Sequence, residues 1–280
     1  MSNLTDYQRK KDFLVCVDSD GCAMDTMDCK HIRCFGPCMV AEWGLEQWAE
    51  PILDRWNVIN LYSMTRGINR FKGLSIALKE IDAQYTPIAD LHDLLSWVDS
   101  GAAPSNDALQ KAIDETGSPI LKKALSWSKA VNTAIAELPE EIKQPFPGAK
   151  EGLAAAAKVA DVAIVSSANR DAVLEEWTKF GLLEHVDIVL SQDYGSKAHC
   201  ISEMLKFGYA PDHVLMCGDA PGDMDAAKKN GVLYYPIRVR HEKDNWQQFV
   251  DEGLGHLLDG TYRGAYQDAQ IAAFLDNLGG

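Results

Sequence analysis

No stretch of this sequence stays apolar for the roughly 18 residues that a membrane-spanning helix needs. The most apolar segment, residues 152–165, is interrupted by Lys158 and Asp161. Basic residues are scarce: 27 Lys and Arg stand against 41 Asp and Glu, a net charge of −14. So acidic a surface repels nucleic-acid backbones and anionic membranes, and neither is expected as a partner. The start of the chain, MSNLTDYQRKKDF, has no apolar secretory core. No two cysteines have the CxxC spacing, and the seven present are an odd number. A chain of 280 residues builds a core without staples. The expectation is therefore reduced thiols and a soluble, cytoplasmic protein. Cys29, Cys34 and Cys38 lie near His31, but zinc ligands usually come as tighter pairs. There is no internal repeat and no low-complexity tract. What is present is ordinary globular composition, 46% hydrophobic and 24% charged, over a length that suits about two domains. The acidic surface still admits a small anionic ligand, because a metal or a basic cluster reverses the sign inside a cleft. Nothing in the sequence sets an oligomeric state.

Short apolar runs at 13–17, 162–165, 186–190 and 214–217, with a fifth at 232–237, lack clean alternation. That suits strands buried on both faces of a parallel sheet. Helical stripes at 172–180 and 199–207 separate the later runs, which predicts βαβ units and a doubly wound α/β sheet. Between the first and second runs lie about 120 residues with helical character throughout, at 40–56, 74–80, 88–98, 106–115 and 119–137. A Gln-Pro-Phe-Pro-Gly segment at 144–148 ends them as a stiff linker. The expected organisation is a core of residues 1–26 and 145–280, interrupted by an all-helical insertion at 27–144. The stretch 246–278 reads as helix closing the core. The tryptophans of the insertion, among them Trp43, Trp48, Trp56 and Trp97, read as packing residues.

The first strand runs into VDSDGCAMDT, residues 17–26. Residues i and i+2 of an extended segment share a face, so Asp18 and Asp20 project together at the carboxyl end of a strand, where open α/β sheets bind ligands. Other strand ends add to that edge: Ser166, Ser167 and Asn169 after the second run, and Asp219 and Asp223 of GDAPGD after the fourth. Lys197 stands at a helix N-terminus, where the helix dipole gives no reason for a cation. Four carboxylates in one cleft need a counter-charge, and a hard divalent cation such as Mg²⁺ supplies it. Metal, lysine, hydroxyl and carboxylate together suit phosphoryl chemistry.

These residues resemble the haloacid dehalogenase superfamily in its phosphatase branch. VDSDGCAMDT is similar to the first motif, Asp-x-Asp-Gly-Thr-x-x-Asp; Ser166, Lys197 and GDAPGD match the second, third and fourth in order and spacing. PFPGAKEGLAAAAK resembles the return into the core after the family's helical cap. The insertion itself matches only in position and helical character. The resemblance implies a Rossmann-like core with a helical cap and Mg²⁺-dependent hydrolysis of a small phosphorylated metabolite. It makes Asp18 the nucleophile and Asp20 the acid and base, with Ser166 and Lys197 on the phosphoryl group. Mg²⁺ would be held by Asp18, the backbone carbonyl of Asp20, Asp219 and Asp223; Ser167 and Asn169 would face the substrate. Asp225 falls in the following helix and is not a ligand. Cys22 departs from the pattern by replacing Thr. Asp20 speaks against a dehalogenase, a phosphonate hydrolase or an ATPase pump. Within the insertion, SMTRGINRFKG (residues 63–73) offers Arg66 and Arg70 for a second anionic group, and Lys30, His31 and Arg33 are further candidates. A phosphomutase resembling β-phosphoglucomutase would share every core residue, and a non-catalytic binding protein would keep the fold alone.

Overall fold

A computed structural model describes residues 4–101 and 104–279; residues 1–3 and 280 of the expected core, and 102–103 of the expected insertion, lie outside that description. The chain divides into two compact units. One is the chain up to Met27 together with everything from Glu141 onward; the other is Asp28–Glu140.

Strand β1 (Phe13–Val17) is followed by a tight turn and a two-residue strand, β2 (Met24–Asp25). The helical unit then begins with α1 (Met27–Lys30), which continues through a π-helical turn, His31–Phe35, into α2 (Gly36–Trp43). The periodicity at 40–56 predicted one helix, but the structure has two. Gly44 adopts φ +66°, which stops α2, and α3 (Ala49–Leu61) starts afresh. Next come α4 (Arg70–Gln84), α5 (Leu91–Val98), α6 (Asn106–Thr116) and α7 (Pro119–Ala136). Helix α5 starts later than the expected residue 88. The Ile88 amide is taken by Asp82 Oδ1 at 2.7 Å, and Asp90 sits in the left-handed region. These helices close around Trp56, Phe71 and Trp127, whose rings meet edge to face at about 6 Å.

The chain returns through β3 (Gln144–Pro145), which pairs antiparallel with β2, Met24 opposite Pro145. The segment expected to be a plain linker thus carries ladder bonds, including Phe146 N–H to the Ala23 carbonyl at 2.9 Å. Helix α8 (Ala149–Val159), β4 (Ala160–Val165), α9 (Arg170–Lys179), β5 (Ile188–Leu190), α10 (Lys197–Leu205), β6 (Val214–Gly218), α11 (Pro221–Asn230) and β7 (Leu233–Pro236) complete the alternation. Helices α12 (Glu242–Gln248), α13 (Leu254–Asp259) and α14 (Ala265–Asn277) follow, α14 packing on β7.

The sheet is parallel throughout, in the order β5-β4-β1-β6-β7. Strand β1 is central, and all but its first residue are buried, which explains its unbroken apolar run. Val17 is level with Ile164 on one side and Cys217 on the other. The residues that follow these three strands therefore emerge side by side at one edge. No helix among the described residues is long and apolar enough to cross a membrane.

Candidate active site

The turn after β1 is built around one carbonyl. Ser19 C=O accepts the amides of Cys22, Ala23 and Met24 at 3.3, 3.0 and 2.9 Å, while Gly21, at φ +81°, donates to the Met24 carbonyl at 2.8 Å. Only glycine adopts that φ without strain. The Asp18 amide extends the ladder by donating to the Cys217 carbonyl at 3.0 Å. Its carboxylate accepts the Ser19 amide at 2.8 Å.

Asp219 leaves the end of β6, and Asp223 sits in the first turn of α11, where its Oδ2 accepts the Ala220 amide at 3.1 Å. That position is favourable for a carboxylate at a helix N-terminus. Asp223 also presses against the Gly218 backbone: a Cβ on Gly218 would lie 2.3 Å from the Asp223 Cγ. Asp225 is inside α11, as expected.

Carboxylate oxygens of Asp18, Asp219 and Asp223 all fall within 4.8 Å of one another, and the three residues are 6%, 1% and 0% exposed. Lys197, the first residue of α10, donates its ammonium to Asp18 Oδ2 at 2.5 Å and to Asp223 Oδ1 at 2.6 Å. Here lies the reason for a cation at that helix end. Burial pushes the Asp18 carboxyl up to about 6, against the pull of Lys197, and raises that of Asp223 in the same way. Burial alone would lower the Lys197 ammonium, but Asp18 and Asp223 hold it well above its usual value. One lysine does not neutralise three carboxylates. The remaining negative charge, presented by oxygen donors alone, fits a hard divalent cation rather than a soft one.

The other expected site residues are placed as follows. Asp20 is half-buried, and its Oδ1 accepts the Thr26 hydroxyl. Ser166 is 3% exposed and, by the β1–β4 register, stands one residue past the level of Asp18; its Oγ accepts the Ala168 amide at 3.2 Å. Ser167 is exposed, and Asn169 caps α9 through the amides of Asp171 and Ala172. Arg66 and Arg70 belong to the helical unit. Arg66 is buried and donates to the Leu61 carbonyl at 2.7 Å. Arg70 lies over the Phe35 ring at 5.0 Å and donates to Ser128 Oγ and Asn132 Oδ1 at 3.0 and 2.8 Å. None of the seven cysteines is joined to another by a disulfide. Cys29, His31, Cys34 and Cys38 form no metal-binding group; among the described residues the only such cluster is Asp18, Asp219 and Asp223. Cys22 is fully buried, its thiol donating to the Cys217 carbonyl at 3.6 Å. The residue packs in the core, and burial, with Asp219, Asp18 and Asp223 close by, raises its thiol well above the usual range.

Four contributors were not anticipated from the sequence. Thr26 and Gly218 stand inside the motifs, so the signal for them existed: a hydroxyl six residues past the acid, and a glycine before Asp219. Trp177 and Trp246 gave no signal, because their indoles reach the loop only through tertiary packing.

The sequence profile of haloacid dehalogenase-like hydrolases matches residues 68–235. No curated protein sequence matches. Among solved structures, a haloacid dehalogenase-like family hydrolase from Xanthomonas campestris is 12% identical with a TM-score of 0.51, covering 92% of this chain and 99% of that one. A protein from Clostridium difficile described as a phosphatase is 16% identical with a TM-score of 0.50, covering 81% and 86%. One from Lactobacillus delbrueckii subsp. bulgaricus, described as a phosphoglycolate phosphatase, is 14% identical with a TM-score of 0.49, covering 84% and 92%. The profile begins beyond Asp18 and Asp20 but takes in Ser166, Lys197, Asp219 and Asp223. Because it matches more than half of the chain, and does so on a parallel sheet with these residues at one edge, the protein belongs to the haloacid dehalogenase-like hydrolase family.

Proposed function

We propose that this protein is a Mg²⁺-dependent phosphatase acting on a small phosphorylated metabolite, with the helical unit serving as the cap that selects it. The observation that carries the reading is Lys197 bridging Asp18 and Asp223 beside Asp219. A buried lysine between carboxylates is an anion site held ready by its own counter-charges.

In this reading an Asp18 oxygen attacks phosphorus. The new P–O bond forms as the bond to the leaving oxygen breaks, giving an aspartyl-phosphate. Asp20, oriented by Thr26, gives its proton to the leaving oxygen. It then takes a proton from the water that releases phosphate and regenerates Asp18. Lys197 and the Ser166 hydroxyl hold the phosphoryl oxygens, with Ser167 and Asn169 lining the approach. Mg²⁺ would be held by Asp18, the Asp20 backbone carbonyl, Asp219 and Asp223, and when bound it offsets the charge of the phosphoryl group and keeps the buried carboxylates ionised. Arg66 and Arg70 are assigned to a second anionic group of the substrate. Arg70 suits this better, since its guanidinium meets only neutral acceptors among the described residues.

The test is phosphate release from p-nitrophenyl phosphate and a panel of metabolite esters, with Mg²⁺ and with EDTA. Asp18→Asn is expected to cut turnover by a factor of about 1,000 or more, and EDTA to abolish it. Arg70→Met is expected to raise KM about tenfold for esters carrying a carboxylate or second phosphate, and to leave p-nitrophenyl phosphate unaffected. Release that survives Asp18→Asn overturns the proposal. Turnover that requires a sugar bisphosphate replaces it with a phosphomutase.

A further inference from the structure

Two buried indoles from different helices converge on the turn between the two acids. Trp177 Nε1–H, from α9, donates to Ser19 Oγ at 2.9 Å. Trp246 Nε1–H, from α12, donates to the Cys22 carbonyl at 3.0 Å. Both tryptophans, Ser19 and Cys22 are fully buried. The Trp246 ring lies in a slot that only glycine leaves open: a Cβ on Gly152 would sit 2.4 Å from its Cε3, and one on Gly148 would sit 3.0 Å from its Cβ. Phe249 closes the slot edge to face at 5.6 Å.

The turn's internal bonds set its shape; its orientation is set from outside, by the Phe146 amide on the Ala23 carbonyl at 2.9 Å, by the Cys22 thiol on the Cys217 carbonyl at 3.6 Å and by the two indoles. Asp18 is anchored by the β1 ladder, whereas Asp20 lies beyond it. Asp20 depends on the turn, through its bridge with Met24, for its distance from Asp18. A rigid turn rocking on the end of β1 would carry Asp20 with it and leave Asp18 in place. The indoles brace that turn at Ser19 and Cys22, on either side of Asp20 and Gly21.

We propose that Trp177 and Trp246 are positioning residues that brace the 18–24 turn from two helices and so fix the Asp20 carboxyl relative to Asp18. The kinetic part of this inference rests on the phosphatase reading; the bracing itself does not. If Asp20 is what moves, the loss falls on proton donation. An ester with a poor leaving group needs that proton, and p-nitrophenolate does not.

The experiment uses the full chain with Mg²⁺ and the variants Trp246→Phe, Trp177→Phe and Ser19→Ala, with Gly152→Ala to displace the indole without removing it. Amide exchange and phosphate release are both measured. Protection of the Cys22, Ala23 and Met24 amides is expected to fall by about tenfold or more while β4 and β6 keep theirs. Turnover of glycerol phosphate is expected to fall about tenfold further than that of p-nitrophenyl phosphate, with KM little changed. Unchanged protection at 22–24, a loss shared equally by the sheet, or equal kinetic losses for the two esters would overturn the proposal. Should either tryptophan variant fail to fold, Ser19→Ala and Gly152→Ala decide alone. Should the wild type release no phosphate from any ester, the phosphatase reading fails and amide exchange decides the bracing by itself.

Discussion

The two units bury polar groups in different ways. In the α/β unit, Asp18, Asp219 and Asp223 are buried together at one edge of the sheet, and Lys197 answers two of them. In the helical unit the interior is apolar and aromatic. Some of its buried polar groups are satisfied locally, as when Asn60 Nδ2 donates one turn back to the Trp56 carbonyl at 2.9 Å, and others between helices, as when Ser118 Oγ donates to Asp93 Oδ2 at 2.7 Å. A parallel sheet brings residues from distant parts of the chain to one line, so each position there has a particular partner. A helical bundle needs volume and a periodic face, and many sequences supply both. Turnover should therefore be fragile around the carboxylate cluster and tolerant of changes in the packing of the helical unit.

The strongest way to break this contrast is Lys197→Met. Removing one partner of a buried ion cluster costs about 3–5 kcal/mol. Asp18 and Asp223 would then repel each other unscreened, and turnover should fall at least as far as with Asp18→Asn. The sign with pH follows from the direction of the shift. The Asp18 carboxyl titrates near 6 when folded, against an ordinary 3.8, so the native state holds its proton more firmly. Stability from this group is lost as pH rises through that window, and the variant, with its carboxyls pushed higher still, extends the loss above pH 6. Urea midpoints of Lys197→Met should be higher at pH 5 than at pH 7.5, and millimolar Mg²⁺ should recover part of the difference. A variant indifferent to both pH and Mg²⁺ would show that the cluster is not under charge strain.

A sharper comparison places the same substitution in each unit. Gly218→Ala drives a methyl to 2.3 Å from the Asp223 Cγ, with the Asp223 Cβ equally crowded, so the carboxylate must leave Lys197 and the Ala220 amide. The expected cost is about 2 kcal/mol, from overpacking, with roughly a hundredfold loss of turnover on losing a charge-stabilising group. Gly73→Ala, in α4, drives a methyl to 2.4 Å from Asn60 Oδ1. That atom ends a short side chain, and alanine recovers about 1 kcal/mol of helix propensity. The net cost should be about 1 kcal/mol, with kcat and KM within about threefold of the wild type. If Gly73→Ala impaired turnover as much as Gly218→Ala, the claimed division between the units would be false.

The same contrast governs what could be read in advance. The placement of Asp18, Asp20, Ser166, Lys197, Asp219 and Asp223 toward one edge of the sheet was legible because strand ends are marked by apolar runs, and topology does the rest. The β2–β3 pairing was not legible: two polar-flanked residues at 24–25 find two more at 144–145, and no local pattern encodes a contact across that separation. Nor were the indole bonds of Trp177 and Trp246, since a buried tryptophan reads the same whether or not its N–H is used. In the helical unit, the presence of helices was plain and their ends were not, because the breaks depend on single backbone conformations.

Gly44 is the clearest of these, and it gives the smallest expected effect. The apolar period continues across it, so residues 40–56 read as one helix. The backbone instead closes α2 with paired bonds, Gly44 N–H to the Ala41 carbonyl at 3.4 Å and Leu45 N–H to the Val40 carbonyl at 2.9 Å. This arrangement needs a left-handed residue, and Leu45 is fully buried beyond it. Nothing lies within 4 Å of where a Cβ would be, so Gly44→Ala meets no clash and isolates the conformational cost. That cost is about 1 kcal/mol for alanine and less for asparagine, which tolerates the left-handed region better. Denaturation midpoints should rank Gly, Asn, Ala in falling order, with phosphate release per folded molecule unchanged in all three. If alanine matched the wild type, the break would owe nothing to its backbone, and the uninterrupted helix would be within reach of this sequence.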